Sequence, residues 1–187
     1  MDAHWARIHA AGATNGKKIY EERVEKLLNT ENIAFQREMR VNMLNSDSGR
    51  VYARIDFHIV KRNDNGQVIG HIFLEVDEKQ HDSYGVEEEL IRMMQVSSSF
   101  KYNEQTTSIH WIRYNPNEYY VDGTRTSSDY KVAKEQLLKS IANEAFQKPI
   151  SISYLYYDIT DGLPAIFKDP KYPDHIKEYL VDVVYQQ

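Results

Sequence analysis

Three carboxylates and a histidine are the residues of this chain best suited to chemistry: Asp56, Glu75, Asp77 and His81. They are not contiguous, so the backbone must bring them together. Asp56 lies in the stretch 50–60, where Val51, Ala53, Ile55, Phe57 and Ile59 alternate with Tyr52, Arg54, Asp56 and His58. A period of two predicts a strand with the first set on one face and the second on the other. Glu75 ends a second strand over 68–76, and Asn65-Gly66 between the two is a strong hairpin turn signal. With these two residues at the centre of the turn, Asp64 pairs with Gln67, and counting along the strands sets Asp56 opposite Glu75. Cβ atoms of such a pair are roughly 4.5–5.5 Å apart. Asp77, two residues on, projects from the same face as Glu75.

Like charges facing each other destabilise a sheet, and a bound cation or a shifted pKa offsets the repulsion. Oxygen-only ligands favour Mg²⁺ or Mn²⁺ over Zn²⁺. The run Ile69 to Val76 carries apolar residues at both parities, which predicts a strand buried on both faces. A carboxylate near its end then needs a partner. His81, four residues past Asp77, is placed to move a proton near pH 7. Lys79 could stabilise charge developing on a phosphorane. For each of these residues an ordinary solvated surface position is the competing reading.

The elements that must hold these groups follow from periodicity and turn residues. Tyr20, Val24, Leu27 and Leu28 predict a helix ending near Asn29. A strand over 34–43 is stopped by the turn 45–49. After the hairpin come an acidic helix over 86–96, a strand over 108–114 stopped by Asn115-Pro116, and a loop over 120–128. A helix over 129–146, a strand over 150–159 and a last helix over 173–184 complete the reading. The order α-β-β-β-α-β-α-β-α predicts an α/β (α+β) fold, a mixed sheet flanked by helices.

Composition narrows the chemistry further. The 187 residues suit one domain, 41% apolar and 27% charged, with mean hydropathy −0.65. No apolar run approaches the roughly 20 residues of a membrane span, and the N-terminus lacks a signal-peptide layout. There is no cysteine, which excludes disulfides, thiol nucleophiles and Cys-ligated metals. The net charge of −5 does not advertise a polyanion partner, so nucleic-acid binding must rest on local cations or on metal.

Arg54-Ile55-Asp56-Phe57 followed by Glu75-Val76-Asp77-Glu78-Lys79-Gln80-His81 resembles the PD-(D/E)xK, restriction-endonuclease-like superfamily. The nearer likeness is to the branch around very-short-patch repair endonucleases and EDxHD homing endonucleases. The variant Glu-x-Asp-Glu-x-Gln-His resembles nucleases of large DNA viruses and algae. Tyr20-Glu21, Glu89-x-x-Arg92 and Ile112 to Pro116 agree with the pattern, which covers roughly residues 15–117. Two departures stand out. Asp77 occupies the position of the motif's lysine, and the zinc-binding cysteines of several relatives are missing.

The resemblance implies an αβββαβ nuclease core and a Mg²⁺- or Mn²⁺-dependent DNA endonuclease, with a homing or mobile-element enzyme as one version. Asp56 and Glu75 would hold the metal, with the Val76 carbonyl an extra ligand. Asp77 would add to the metal shell or orient water, His81 would act as general acid or base, and Glu21 would approach from the first helix. The absence of cysteine fits an intracellular protein, cytoplasmic or nuclear, which the viral likeness would make virus-encoded in a host cell, and the acidic balance suggests a homodimer as one route to specificity. Lys17, Lys18, Lys61, Arg62 and Arg113 are candidate DNA contacts, with Arg37 and Arg40 beside them, although Arg92 and Arg113 could equally fix carboxylates in ion pairs. Among the 14 tyrosines, Tyr119 and Tyr120 could stack on bases, whereas Tyr154, Tyr156 and Tyr157 are expected to pack on a sheet. Two other readings stay open: a repair nuclease for mismatched or branched DNA, and a nuclease-fold DNA-binding module that has lost catalysis.

Overall fold

The computed structural model describes residues 18–43, 52–78, 85–104, 108–142 and 148–184. Helix α1, Ile19–Thr30, buries Val24, Leu27 and Leu28 at helical spacing. It ends where Asn32 takes φ 55°. The Ile33 N–H then reaches the Leu28 carbonyl at 2.9 Å and the Asn32 N–H reaches that of Asn29 at 3.2 Å. These two bonds satisfy carbonyls that a helix end otherwise leaves open.

Strands β1 (Gln36–Asn42), β2 (Tyr52–Arg62) and β3 (Val68–Val76) pair antiparallel in sequence order. Helix α2 (Val86–Glu104) returns the chain to β4 (Ile109–Tyr114), parallel to β3. The observed order through β4 is thus αβββαβ. Beyond it lie β5 (Tyr119–Val121), β6 (Thr124–Thr126), helix α3 (Tyr130–Ala142) and β7 (Ile150–Leu155). Two-residue strands β8 (Ile159–Thr160) and β9 (Leu163–Pro164) follow, then β10 (Leu180–Val184). The main sheet runs β1-β2-β3-β4-β7-β10, and a small sheet runs β6-β5-β8-β9. This is a mixed-sheet α+β architecture, as the periodicities predict.

Each face of the main sheet has its own core. On one, Leu90, Met93, Val96 and Phe100 of α2 pack on Phe73, Trp111, Ile152 and Tyr154. On the other, Val24, Leu27 and Leu28 of α1 and Ala133, Leu137 and Ile141 of α3 pack on Ile72, Leu74, Ile112 and Leu155. Strand β3 is therefore buried on both faces, as its apolar run predicts. Among the described residues no helix is long and apolar enough to cross a membrane.

Four local expectations are corrected. The 120–128 segment holds the β5–β6 hairpin instead of a loop. Helix α2 continues to Glu104, eight residues past its expected end at Val96. The expected strand over 150–159 breaks after Leu155, where Tyr156 takes φ 61°. The expected C-terminal helix is a short 3₁₀ turn, Asp174–Tyr179, followed by β10 parallel to β7. Leu180–Val184 is valine-rich, and an open sheet edge beside β7 rewards extended backbone there.

The hairpin reaches the expected register by a different route. Asn63, not Asp64, pairs with Gln67: their backbones bond at 2.9 Å, and the Asn63 side chain accepts the Asn65 and Gln67 N–H groups. The loop thus has three residues and needs Gly66 at φ 76°. A second irregularity between the Arg62↔Val68 and Lys61↔Gly70 pairs cancels the offset. From there to Phe57↔Leu74 the register is the predicted one.

Candidate active site

One residue past Phe57↔Leu74 lie Asp56 and Glu75, at the carboxyl end of β3. The expected face assignment of β2 fails at this point. Ala53 and Ile55 join the core under α2, whereas Phe57 and Ile59 join the core under α1 and α3. The irregularity coincides with Glu38, whose φ of 50° interrupts β1 between the Arg37↔Phe57 and Met39↔Ile55 pairs. Such a kink re-aims the neighbouring side chain. Here Asp56 Oδ2 accepts the Val76 N–H at 2.9 Å, tying the acid to the end of β3.

The electrostatics mark the pair as unusual. Burial, reinforced by Glu21 and Asp77, pushes the Asp56 carboxyl up from 3.8 to about 6, against the Val76 N–H. Burial also pushes Glu75 up from 4.5 to about 8, outweighing the nearby Arg92, with Asp56 and Asp77 adding to the rise. Glu21 on α1 therefore acts on the Asp56 charge, and Asp56, Glu75 and Asp77 act on one another. Asp56, Glu75 and Asp77, which the strand pattern singles out, thus influence one another, and Glu21, which the resemblance implies, influences Asp56.

Around this pair runs a buried ionic network. Arg92 Nη2 donates to Glu75 at 3.0 Å and to Glu89 at 2.7 Å. Arg113 Nη1 donates to Glu89 at 2.8 Å, and its Nε donates to Asp77 at 2.5 Å. The Tyr157 hydroxyl donates to the same Asp77 oxygen. Asp77 is fully buried, and its N–H reaches the Tyr114 carbonyl at 2.8 Å. Asp77 is thus a clamp that joins the ends of β3, β4 and β7, not an open ligand. On the outer side, Arg37 bridges Glu21 and Glu25 over the Phe57 ring. Lys18 and Arg54 share Glu38, and Lys18 also pairs with Glu21 at 3.1 Å.

The candidate DNA contacts divide. Lys18 is exposed at the rim of the acids. Lys61 donates to the Ile141 carbonyl at 3.0 Å and so caps α3. Arg62 is exposed at the hairpin and donates to the Gly66 carbonyl at 2.9 Å. Arg113 is 3% exposed and committed to Asp77 and Glu89, so the structure gives it an internal role in place of a phosphate contact. Tyr119 is buried and Tyr120 is exposed, so only the second offers a ring to a base. His81, Lys17 and Lys79 lie outside the described residues.

Tyr157 and Glu38 were not legible as parts of this site. Tyr157 reads as one more sheet-packing aromatic, and no local pattern marks a non-glycine residue for positive φ. Arg54 had a signal, its two-residue spacing from Asp56 on one strand.

Among the described residues, no group of three or more His, Asp or Glu is gathered as a metal site. Asp56 and Glu75 nevertheless fit a hard cation. Both are oxygen donors, both are held toward neutrality by burial, and a divalent ion would offset that cost. Mg²⁺ keeps several waters and needs only one or two protein carboxylates. Comparison with family models, with curated proteins and with solved structures yields no match.

Proposed function

We propose that this protein is a metal-dependent DNA endonuclease acting at the Asp56–Glu75 pair. The observation that carries the reading is a pair of carboxylates at the end of a doubly buried strand, each pushed toward neutrality by burial. Functional acids collect such shifts. A divalent ion bound there polarises the phosphodiester and lowers the pKa of water. Asp56 and Glu75 would hold that ion, and Glu21 would orient water from α1. Asp77 acts as a positioning residue: gripped by Arg113 and Tyr157, it fixes the end of β3 and so presents Glu75. His81 supplies the proton transfer, and Lys18 and Arg62 meet the DNA backbone. The further assignment to a homing or mobile-element enzyme rests on the sequence resemblance alone.

The test is cleavage of supercoiled plasmid with Mg²⁺, Mn²⁺ or EDTA, comparing wild type with Asp56→Asn and His81→Ala. Metal-dependent nicking should fall at least about a hundredfold in each variant, the scale of losing a group that acts in the transition state. Cutting that survives Asp56→Asn sinks the assignment.

A second reading has one observation in its favour. Arg92 already pairs with Glu75 at 3.0 Å, so a guanidinium stands beside the carboxylate meant for the metal. A DNA-binding module without catalysis would use this ion pair as its permanent neutralisation. Tight DNA binding in EDTA, with no cutting on adding metal, would select it.

A further inference from the structure

Between α1 and α3, on the sheet face opposite α2, opens a cleft of about 130 Å³ that plays no part in the carboxylate chemistry. Its floor is apolar: Leu27 from α1 and Ala133 and Leu137 from α3, all buried. One wall is Tyr114, at the end of β4, whose carbonyl accepts the Asp77 N–H while its ring turns to this side. The mouth is aromatic and cationic. The Arg23 guanidinium lies 5.3 Å from the centre of the Tyr20 ring and 5.7 Å from that of Tyr130. Tyr20, Arg23, Tyr114 and Tyr130 all line this one small volume.

Two features point to a ligand. Among the described residues Arg23 has no carboxylate partner, whereas Lys134 across the cleft is paired with Glu31 at 3.2 Å. Tyr130 keeps 53% of its surface exposed beside a site it could close. A cation within about 6 Å of two phenol rings, beside an apolar floor, matches a planar aromatic group that carries an anion. The volume admits one ring system and not a drug-sized molecule.

We infer that this cleft binds a single nucleotide unit, its base between the Tyr130 ring and the apolar floor and its phosphate on Arg23. The natural source is a free mononucleotide or an unpaired nucleotide of a strand. The choice of nucleic acid rests on the nuclease reading; the aromatic-anion chemistry does not.

The test is titration in EDTA, where no cutting occurs, followed by amide NMR shifts and calorimetry. The probes are dAMP, deoxyadenosine, inorganic phosphate, and a short duplex with one unpaired adenine beside its abasic counterpart. Saturable dAMP binding that shifts residues on both α1 and α3 is expected. Arg23→Gln should weaken dAMP about tenfold and leave deoxyadenosine unchanged. Tyr130→Ala should weaken both about tenfold, the scale of one base–aromatic stack. Both side chains are exposed, so the variants keep the fold. Tighter binding of the unpaired-adenine duplex than of dAMP, lost on the abasic duplex, identifies a strand as the source; equal binding identifies the free nucleotide. Phosphate binding as tightly as dAMP, or no effect of either substitution, overturns the inference. The two readings fail separately. Nucleotide binding sensitive to Arg23→Gln in a protein that never cuts DNA keeps the cleft and removes the nuclease. Cutting without nucleotide binding does the reverse.

Discussion

His71 and Glu75 lie on the same strand, β3, and both are buried, yet the protein handles them in opposite ways. At the amino end of β3, His71 Nδ1 meets His58 Nε2 at 2.8 Å, with the rings stacked 5.1 Å apart. Phe73 and Phe100 close around them edge-on. One strand over, His110 sits between the Ser151 hydroxyl at 2.7 Å and the Ser153 hydroxyl at 3.1 Å. Burial lowers His58, helped by His71, and burial alone lowers His110; both fall from 6.5 to about 4. The His58 and His110 rings are neutral at physiological pH, and hydrogen bonds suffice for them. At the carboxyl end, two arginines and at least three carboxylates meet, and Asp56 and Glu75 are left poised near neutrality. Neutral burial yields structure with no reserve of charge. Ionic burial leaves a proton or cation demand that chemistry can use, which is why we place function at that end.

The largest contrast should come from breaking each network. Arg113→Leu takes the cation from buried Asp77 and leaves Glu89 to Arg92 alone, and should cost about 3–5 kcal/mol. His110→Leu leaves only two hydroxyls unsatisfied and should cost about 1–2 kcal/mol. Chemical denaturation at pH 7 compares them, and equal losses would erase the distinction. Adding Asp77→Asn to Arg113→Leu should recover part of the loss, because the two groups form one unit.

The two ends should also drive stability in opposite directions with pH. Asp56 and Glu75 have folded pKa values above their unfolded ones, so their contribution is present below about pH 4 and is lost as pH rises through about 6 and 8. His58 and His110 have folded values below their unfolded ones. Their contribution is present above pH 6.5 and is lost as pH falls through about 4. In EDTA, Glu75→Gln should therefore raise stability at pH 8 relative to pH 5 by at least about 2 kcal/mol over wild type. It should also expose a fall toward acid set by the histidines. His58→Phe with His71→Phe should weaken that acid fall. Denaturant midpoints across pH 4–8 decide, and a Glu75→Gln profile parallel to wild type would break the argument.

The smallest effect concerns the turn that sets the Asp56 register. Gly66 has φ 76° and open space around its Cα, so Gly66→Ala meets only the conformational penalty, about 1 kcal/mol. Thermal denaturation reads that loss, and chemical shifts of Val76 should stay in place because the second irregularity, not the turn alone, locks the pairing.

Much of the main sheet was legible in the sequence. Alternation in β2, the apolar run of β3 and the spacing of α1 are local patterns, set by the two-residue and 3.6-residue geometry of the backbone. They were enough to bring Asp56, Glu75 and Asp77 to one strand end; Glu21 beside them came from the family resemblance and not from periodicity. The register prediction held although the turn type did not, because burial of both faces specifies pairing more strongly than the loop does.

What local patterns cannot carry, the tertiary structure decided. Arg113 and Asp77 are 36 residues apart, and Tyr157 and Asp77 are 80 apart; they meet only because β4 and β7 line up beside β3. That sheet order turned an expected phosphate contact into an internal clamp. The face change in β2 depends on Glu38 adopting a conformation that no residue-type pattern announces. The last segment became a strand because β7 offered it an edge. The sequence by itself determined which residues could be acids, helices and strands here. Only the packed sheet determined which charges would be dried, paired or left to act, since desolvation is a property of surroundings assembled from the whole chain.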